Sequence, residues 1–132
     1  MQNHIALPFL IFGAVSAPVA AEENADIVKG REVAAQHCTR CHVVGDINPT
    51  GGISSTPSFQ MLVKRRPDYK DRFETFFARR PHPAFLSIKG VGRIRPDLPP
   101  NAEPVELTEQ DVANVVAFVE TLKPNPMQKK KP

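Results

Sequence analysis

The chain has 132 residues, a net charge of +3, and only 2 cysteines, 8 Phe, 1 Tyr and no Trp. That length bounds it to one domain. Two cysteines exclude a disulfide-stapled scaffold, and the small positive excess, with no nucleic-acid-binding motif beside it, does not argue for DNA or RNA.

The first 21 residues carry no charged side chain, and 7–19 is an apolar stretch with small residues. Val19-Ala20-Ala21 before Glu22-Glu23 has the small-residue pattern of a leader cleavage site. Residues 1–21 therefore read as a secretory signal peptide, and 22–124 as the working domain. The leader has His4 but no Lys or Arg near its start, which leaves an uncleaved anchor as the alternative. Against an anchor, the apolar run falls short of the ~20 residues that span a bilayer, and Pro8 and Pro18 interrupt it.

Asp26 is a favoured helix N-cap, and the spacing predicts a helix from about Ile27 to His37. Its apolar face would be Ile27, Val28, Ala34 and Ala35. Gly30 lies inside it at a cost of up to ~1 kcal/mol, which close contact with another helix would explain. Residues 45–56 are rich in turn formers, with Asn48-Pro49-Thr50-Gly51-Gly52 at their centre. A short helix is expected from about Ser58 to Lys64, and a second from Pro67 to about Arg79. The second carries Tyr69, Phe73, Phe76 and Phe77 at helical spacing. Arg80-Pro81-His82-Pro83-Ala84-Phe85 ends it. Residues 86–104 show no sustained period and read as an ordered loop, with a short strand around Leu86-Ser87-Ile88. Thr108-Glu109-Gln110-Asp111 signals the start of a last helix, running to about Lys123. The tail 125–132, with Lys129-Lys130-Lys131, reads as disordered and basic.

The chemistry is concentrated in Cys38-Thr39-Arg40-Cys41-His42, a C-x-x-C-H pentapeptide and the attachment signature of c-type haem. Two thiols at this spacing can each add to a vinyl group on the macrocycle. The following histidine is then held under the iron as the proximal nitrogen ligand. A chance match in a chain this long is on the order of one in a thousand. A thioredoxin-like reading lacks its βαβ context. A zinc reading needs about four ligands, and His37 and His82 are the only further histidines after the leader. One covalent haem c would also supply the apolar mass that a core so poor in aromatics lacks. Export fits the same chemistry, since c-type haem is attached outside the bacterial cytoplasm.

With these residues in place, the chain resembles the class I monohaem cytochromes c. Gly30 stands eight positions before Cys38, as the helix-contact glycine does in that family, and Ala117-Phe118-Val119 matches its partner on the C-terminal helix. The resemblance covers about 25–123 and implies an all-α cytochrome c fold. Three to five helices would surround the haem, with crossed N- and C-terminal helices. A narrower likeness is to small bacterial cytochromes with a P-S-F segment followed by P-H-P-x-M. Pro57-Ser58-Phe59 and Pro81-His82-Pro83-Ala84 match, but Phe85 stands where those proteins carry the distal methionine.

The sixth iron ligand is therefore open. His82 leads as the nearest competent donor, ahead of a vacant or water-bound position and of Met61; Lys89 and Met127 carry little weight. The implied function is one-electron transfer in the periplasm, without bond-making catalysis. The partners would be proteins such as a periplasmic dehydrogenase, a membrane respiratory complex or an oxidase, and the expected state is a monomer. The basic runs Lys64-Arg65-Arg66 and Arg79-Arg80 are solvated faces or docking charges. The rival is a haem protein that binds or senses small ligands at an open distal face. A peroxidase ranks last, because only His82 offers a distal acid–base group.

Overall fold

The computed structural model describes residues 19–123. The expected leader lies outside them except for its last three residues, and the basic tail and Met127 lie outside altogether. Four α-helices, α1 Val19–Val33, α2 Phe59–Arg65, α3 Tyr69–Glu74 and α4 Glu109–Glu120, are joined by short helical turns and one small sheet. The architecture is mostly helical, as the resemblance implies. No helix among the described residues is long and apolar enough to cross a membrane.

The first and last helices make the most extensive contact in the molecule. Gly30 sits at their crossing and is buried. A Cβ built on it would lie 1.8 Å from the Asn114 carbonyl oxygen and 2.9 Å from the Phe118 Cβ. The glycine thus lets one backbone rest on the other, which offsets its poor helix propensity. α4 begins with a reciprocal cap. The Thr108 hydroxyl accepts from the Asp111 amide at 3.0 Å, and the Asp111 carboxylate accepts from the Thr108 amide at 2.8 Å. Each partner satisfies a donor that the helix end would otherwise leave unpaired.

Two apolar clusters flank this pair of helices. One gathers Ala34, Val44, Phe59, Val63, Phe73, Val115, Phe118 and Val119. The other holds Leu86, Ile88, Leu107 and Val112, with Phe76, Phe77 and Phe85 packed against it. The aromatic stripe expected on one helix is thus divided between two clusters.

Several sequence expectations change. Asp26 is no N-cap, because α1 starts at Val19; Ala20, Ala21, Glu22 and Glu23 are good helix formers with no breaker among them. Val28 is 53% exposed and lies off the packed face. α1 passes into a wider π turn over Ala34–Cys38, which carries the chain to the C-x-x-C-H motif. The long helix expected to Arg79 stops at Glu74. There the Thr75 hydroxyl turns back onto the Asp71 carbonyl at 2.7 Å, and the chain resumes as a 3-10 turn, Phe76–Ala78.

The ordered loop contains a strand pair. β1, Leu86–Ile88, runs parallel to β2, Val105–Leu107, with Leu86 opposite Val105 and Ile88 opposite Leu107. The sequence carries no signal for β2, since three residues are too few to show a period. Arg93 ties the intervening chain down. Its guanidinium donates to the carbonyls of Ala84 at 2.9 Å, Leu98 at 3.1 Å and Pro96 at 3.1 Å. The segment between the His82 turn and α4 is therefore pinned to that turn.

Candidate haem site

Cys38 closes the π turn, and the amides of Cys41 and His42 both donate to its carbonyl, at 3.1 and 2.9 Å. This single turn brings two thiols three positions apart to one side of the chain, as covalent attachment requires. Neither thiol is in a disulfide. Burial, with Cys41 beside it, pushes the Cys38 thiol up to about 12.

The loop after the motif folds back over it. The Asn48 side chain accepts from the Val44 amide at 2.7 Å and donates to the carbonyls of Thr39 at 3.1 Å and His42 at 2.9 Å. One amide thereby staples both ends of the motif's turn. Gly52 adopts φ +78°, and a Cβ there would meet the His42 carbonyl carbon at 2.9 Å. Only glycine fits both the conformation and the space.

Each residue of Pro57-Ser58-Phe59 has a distinct task. The Pro57 carbonyl lies 2.7 Å from His42 Nδ1. The Ser58 hydroxyl accepts from the Met61 amide at 3.1 Å and caps α2. The Phe59 ring meets the His42 ring edge-on, with centroids 5.4 Å apart, and the Phe73 ring at 4.8 Å. A carbonyl can only accept, so Nδ1 of His42 carries the proton and the lone pair resides on Nε2. Fixing a ligand's tautomer through its other nitrogen is what supporting groups do at metal centres.

His82 is held the same way. Its Nδ1 lies 2.9 Å from the Arg79 carbonyl. It opens the 3-10 turn His82–Ala84, in which Pro83 and Ala84 are buried, and the preceding Arg80–Pro81 peptide is cis. The rings of His42 and His82 are 6.2 Å apart between centroids and parallel to within 6°. Burial lowers the pKa of both imidazoles, outweighing the carbonyl bonds that favour protonation, so both are kept neutral.

The other candidates fall elsewhere. Met61 is 41% exposed. It is two positions from both Phe59 and Val63, about 200° around the helix from either buried side chain. Lys89 is exposed in the turn after β1. Phe85 packs on the second apolar cluster.

A family model described as cytochrome c matches residues 27–123. The chain belongs to the cytochrome c family. No curated protein and no solved structure matches it. Like the rest of its family, this cytochrome binds covalently attached haem c and serves electron transfer between redox partners, not catalysis. The residues around the motif suit that group: two free thiols one turn apart, an imidazole of set tautomer and a loop stapled over them. Three contributors were invisible as such in the sequence: Asn48, which reads only as a turn former, and the carbonyls of Pro57 and Arg79. Backbone carbonyls carry no residue-type signal.

Proposed function

We propose that this cytochrome is a periplasmic one-electron carrier, with a single haem c joined by thioethers to Cys38 and Cys41 and His42 as its proximal ligand. The observation that carries the reading is the His42 Nδ1 to Pro57 carbonyl contact at 2.7 Å, within a C-x-x-C-H turn of two free thiols. It leaves Nε2 as the donor and holds the ring against Phe59. Bound there, haem supplies a one-electron ferric/ferrous couple. The protein's own part is to orient the imidazole, exclude water with Phe59 and Phe73, and keep the loop rigid through Asn48.

Electrons would come from a periplasmic dehydrogenase or membrane complex and pass to an oxidase or similar acceptor. Of the two basic runs, Lys64-Arg65-Arg66 is exposed at the end of α2. Arg79 is bound to Asp71 at 2.6 Å and to the Thr75 hydroxyl at 3.0 Å. The free run therefore suits an acidic partner better, where complementary charge mainly raises the encounter rate. Export rests on the leader pattern and on where c-type haem is attached.

Intact mass of protein from the periplasmic fraction tests the reading. The expected species lacks Met1–Ala21, carries one haem and keeps it through denaturing acid–organic extraction. Haem that extracts freely would refute the thioethers, and full-length chain in the membrane fraction would replace the free carrier with an anchored one.

A further inference from the structure

We propose that His82 provides the second axial nitrogen to the iron, making this a bis-histidine cytochrome whose sixth position is closed by its own chain. The inference rests on the attachment proposed above and extends it to the distal face. A metal–imidazole bond is about 2 Å and a ring nitrogen lies about 1 Å from its ring centroid, so two imidazoles sharing one metal ion hold centroids about 6 Å apart. The centroids of His42 and His82 are 6.2 Å apart and their planes differ by 6°. Flat rings in stacking contact approach to about 3.5–4 Å, so at 6.2 Å this pair is parallel without touching face to face.

Both rings have Nδ1 on a backbone carbonyl, Pro57 for one and Arg79 for the other. Both therefore present Nε2 with its lone pair. The position of His82 is stiff. The Phe76 ring stands edge-on to it at 5.4 Å and 85°, and the Phe85 ring flanks it at 5.9 Å. Arg93 holds the Ala84 carbonyl two residues along. Phe85, at the position of the relatives' methionine, is turned into the second apolar cluster and is one wall of the imidazole's slot. Met61, the alternative donor, lies on the exposed side of α2. The consequence is functional: a strong-field ligand on both faces leaves no vacancy for carbon monoxide or a similar diatomic. It also sets the potential below that of a His/Met haem, because methionine raises it.

The test uses the mature holoprotein. Electron paramagnetic resonance and near-infrared magnetic circular dichroism of the ferric form should give a low-spin, bis-imidazole signature with no methionine–iron band, a measurement that needs no variant. His82→Ala should turn the ferric haem high-spin and let the ferrous form take up carbon monoxide rapidly, with added imidazole restoring the low-spin signal. His82→Met should stay low-spin and raise the potential, while Met61→Leu should change nothing. A high-spin ferric spectrum in the unmutated protein, a methionine–iron band in it, or a low-spin signal surviving in His82→Ala would each overturn the proposal. Haem retention after acid–organic extraction is read on the same samples, so failure of attachment is distinguished from failure of His82 ligation.

Discussion

Gly30→Ala adds a single methyl group where the terminal helices cross. In an ordinary exposed helix interior this change stabilises by up to about 1 kcal/mol. Here the new Cβ would fall 1.8 Å from the Asn114 carbonyl oxygen and 2.4 Å from its carbon. Both are backbone atoms in the middle of α4, so no side chain can rotate away. To restore ordinary contact the helices must part by more than about 1 Å, loosening the shared packing of Val115, Phe118 and Val119. Overpacking of this kind costs about 1–3 kcal/mol, and a backbone clash belongs at the upper end. After the propensity gain, a net loss of about 2 kcal/mol remains, or roughly 10 °C in Tm for a domain of this size. Denaturant titration of the ferric holoprotein, followed by far-ultraviolet circular dichroism, reads the difference directly. The sign is the test: a midpoint equal to or above that of the unmutated protein would show that the helices do not touch at Gly30.

Asn48→Ala removes the acceptor for the amide of fully buried Val44 and frees two carbonyls of the haem-motif turn; we expect a loss of about 1–3 kcal/mol, measured by denaturant unfolding, and a lower yield of haem-loaded protein. Arg93→Ala should cost about 2 kcal/mol in the same assay, and Arg93→Lys should recover little of it, because one ammonium cannot reach three carbonyls. Asp111→Ala should cost about 1 kcal/mol at neutral pH. The amide and hydroxyl of Thr108 hold the Asp111 carboxyl below its usual 3.8, so the cap's contribution is complete above that pH and fades as pH falls through the lowered value. Thermal melts of Asp111→Ala and the unmutated protein should therefore converge in acid, and a constant gap down the pH series would contradict the assignment.

Much of this protein is legible in one dimension because the relevant chemistry is local. Cys38, Cys41 and His42 are adjacent in one turn, so their order alone names the group they suit. Thr108 and Asp111 cap a helix across three residues, and Gly30 stands at a set distance from Cys38 whatever the rest of the chain does. Folding decided what depends on distant partners. β1 finds β2 across a connection too irregular to carry a period, and the aromatic stripe breaks where the helix ends at Glu74 and a 3-10 turn takes over. The imidazoles of His42 and His82 become parallel at 6.2 Å only because loops closing on Pro57, Arg79 and Arg93 bring forty residues of separation down to a few ångströms. Sequence names donors and motifs; the spacing between two donors belongs to the backbone carbonyls and loop closures that hold them, and those have no letter of their own.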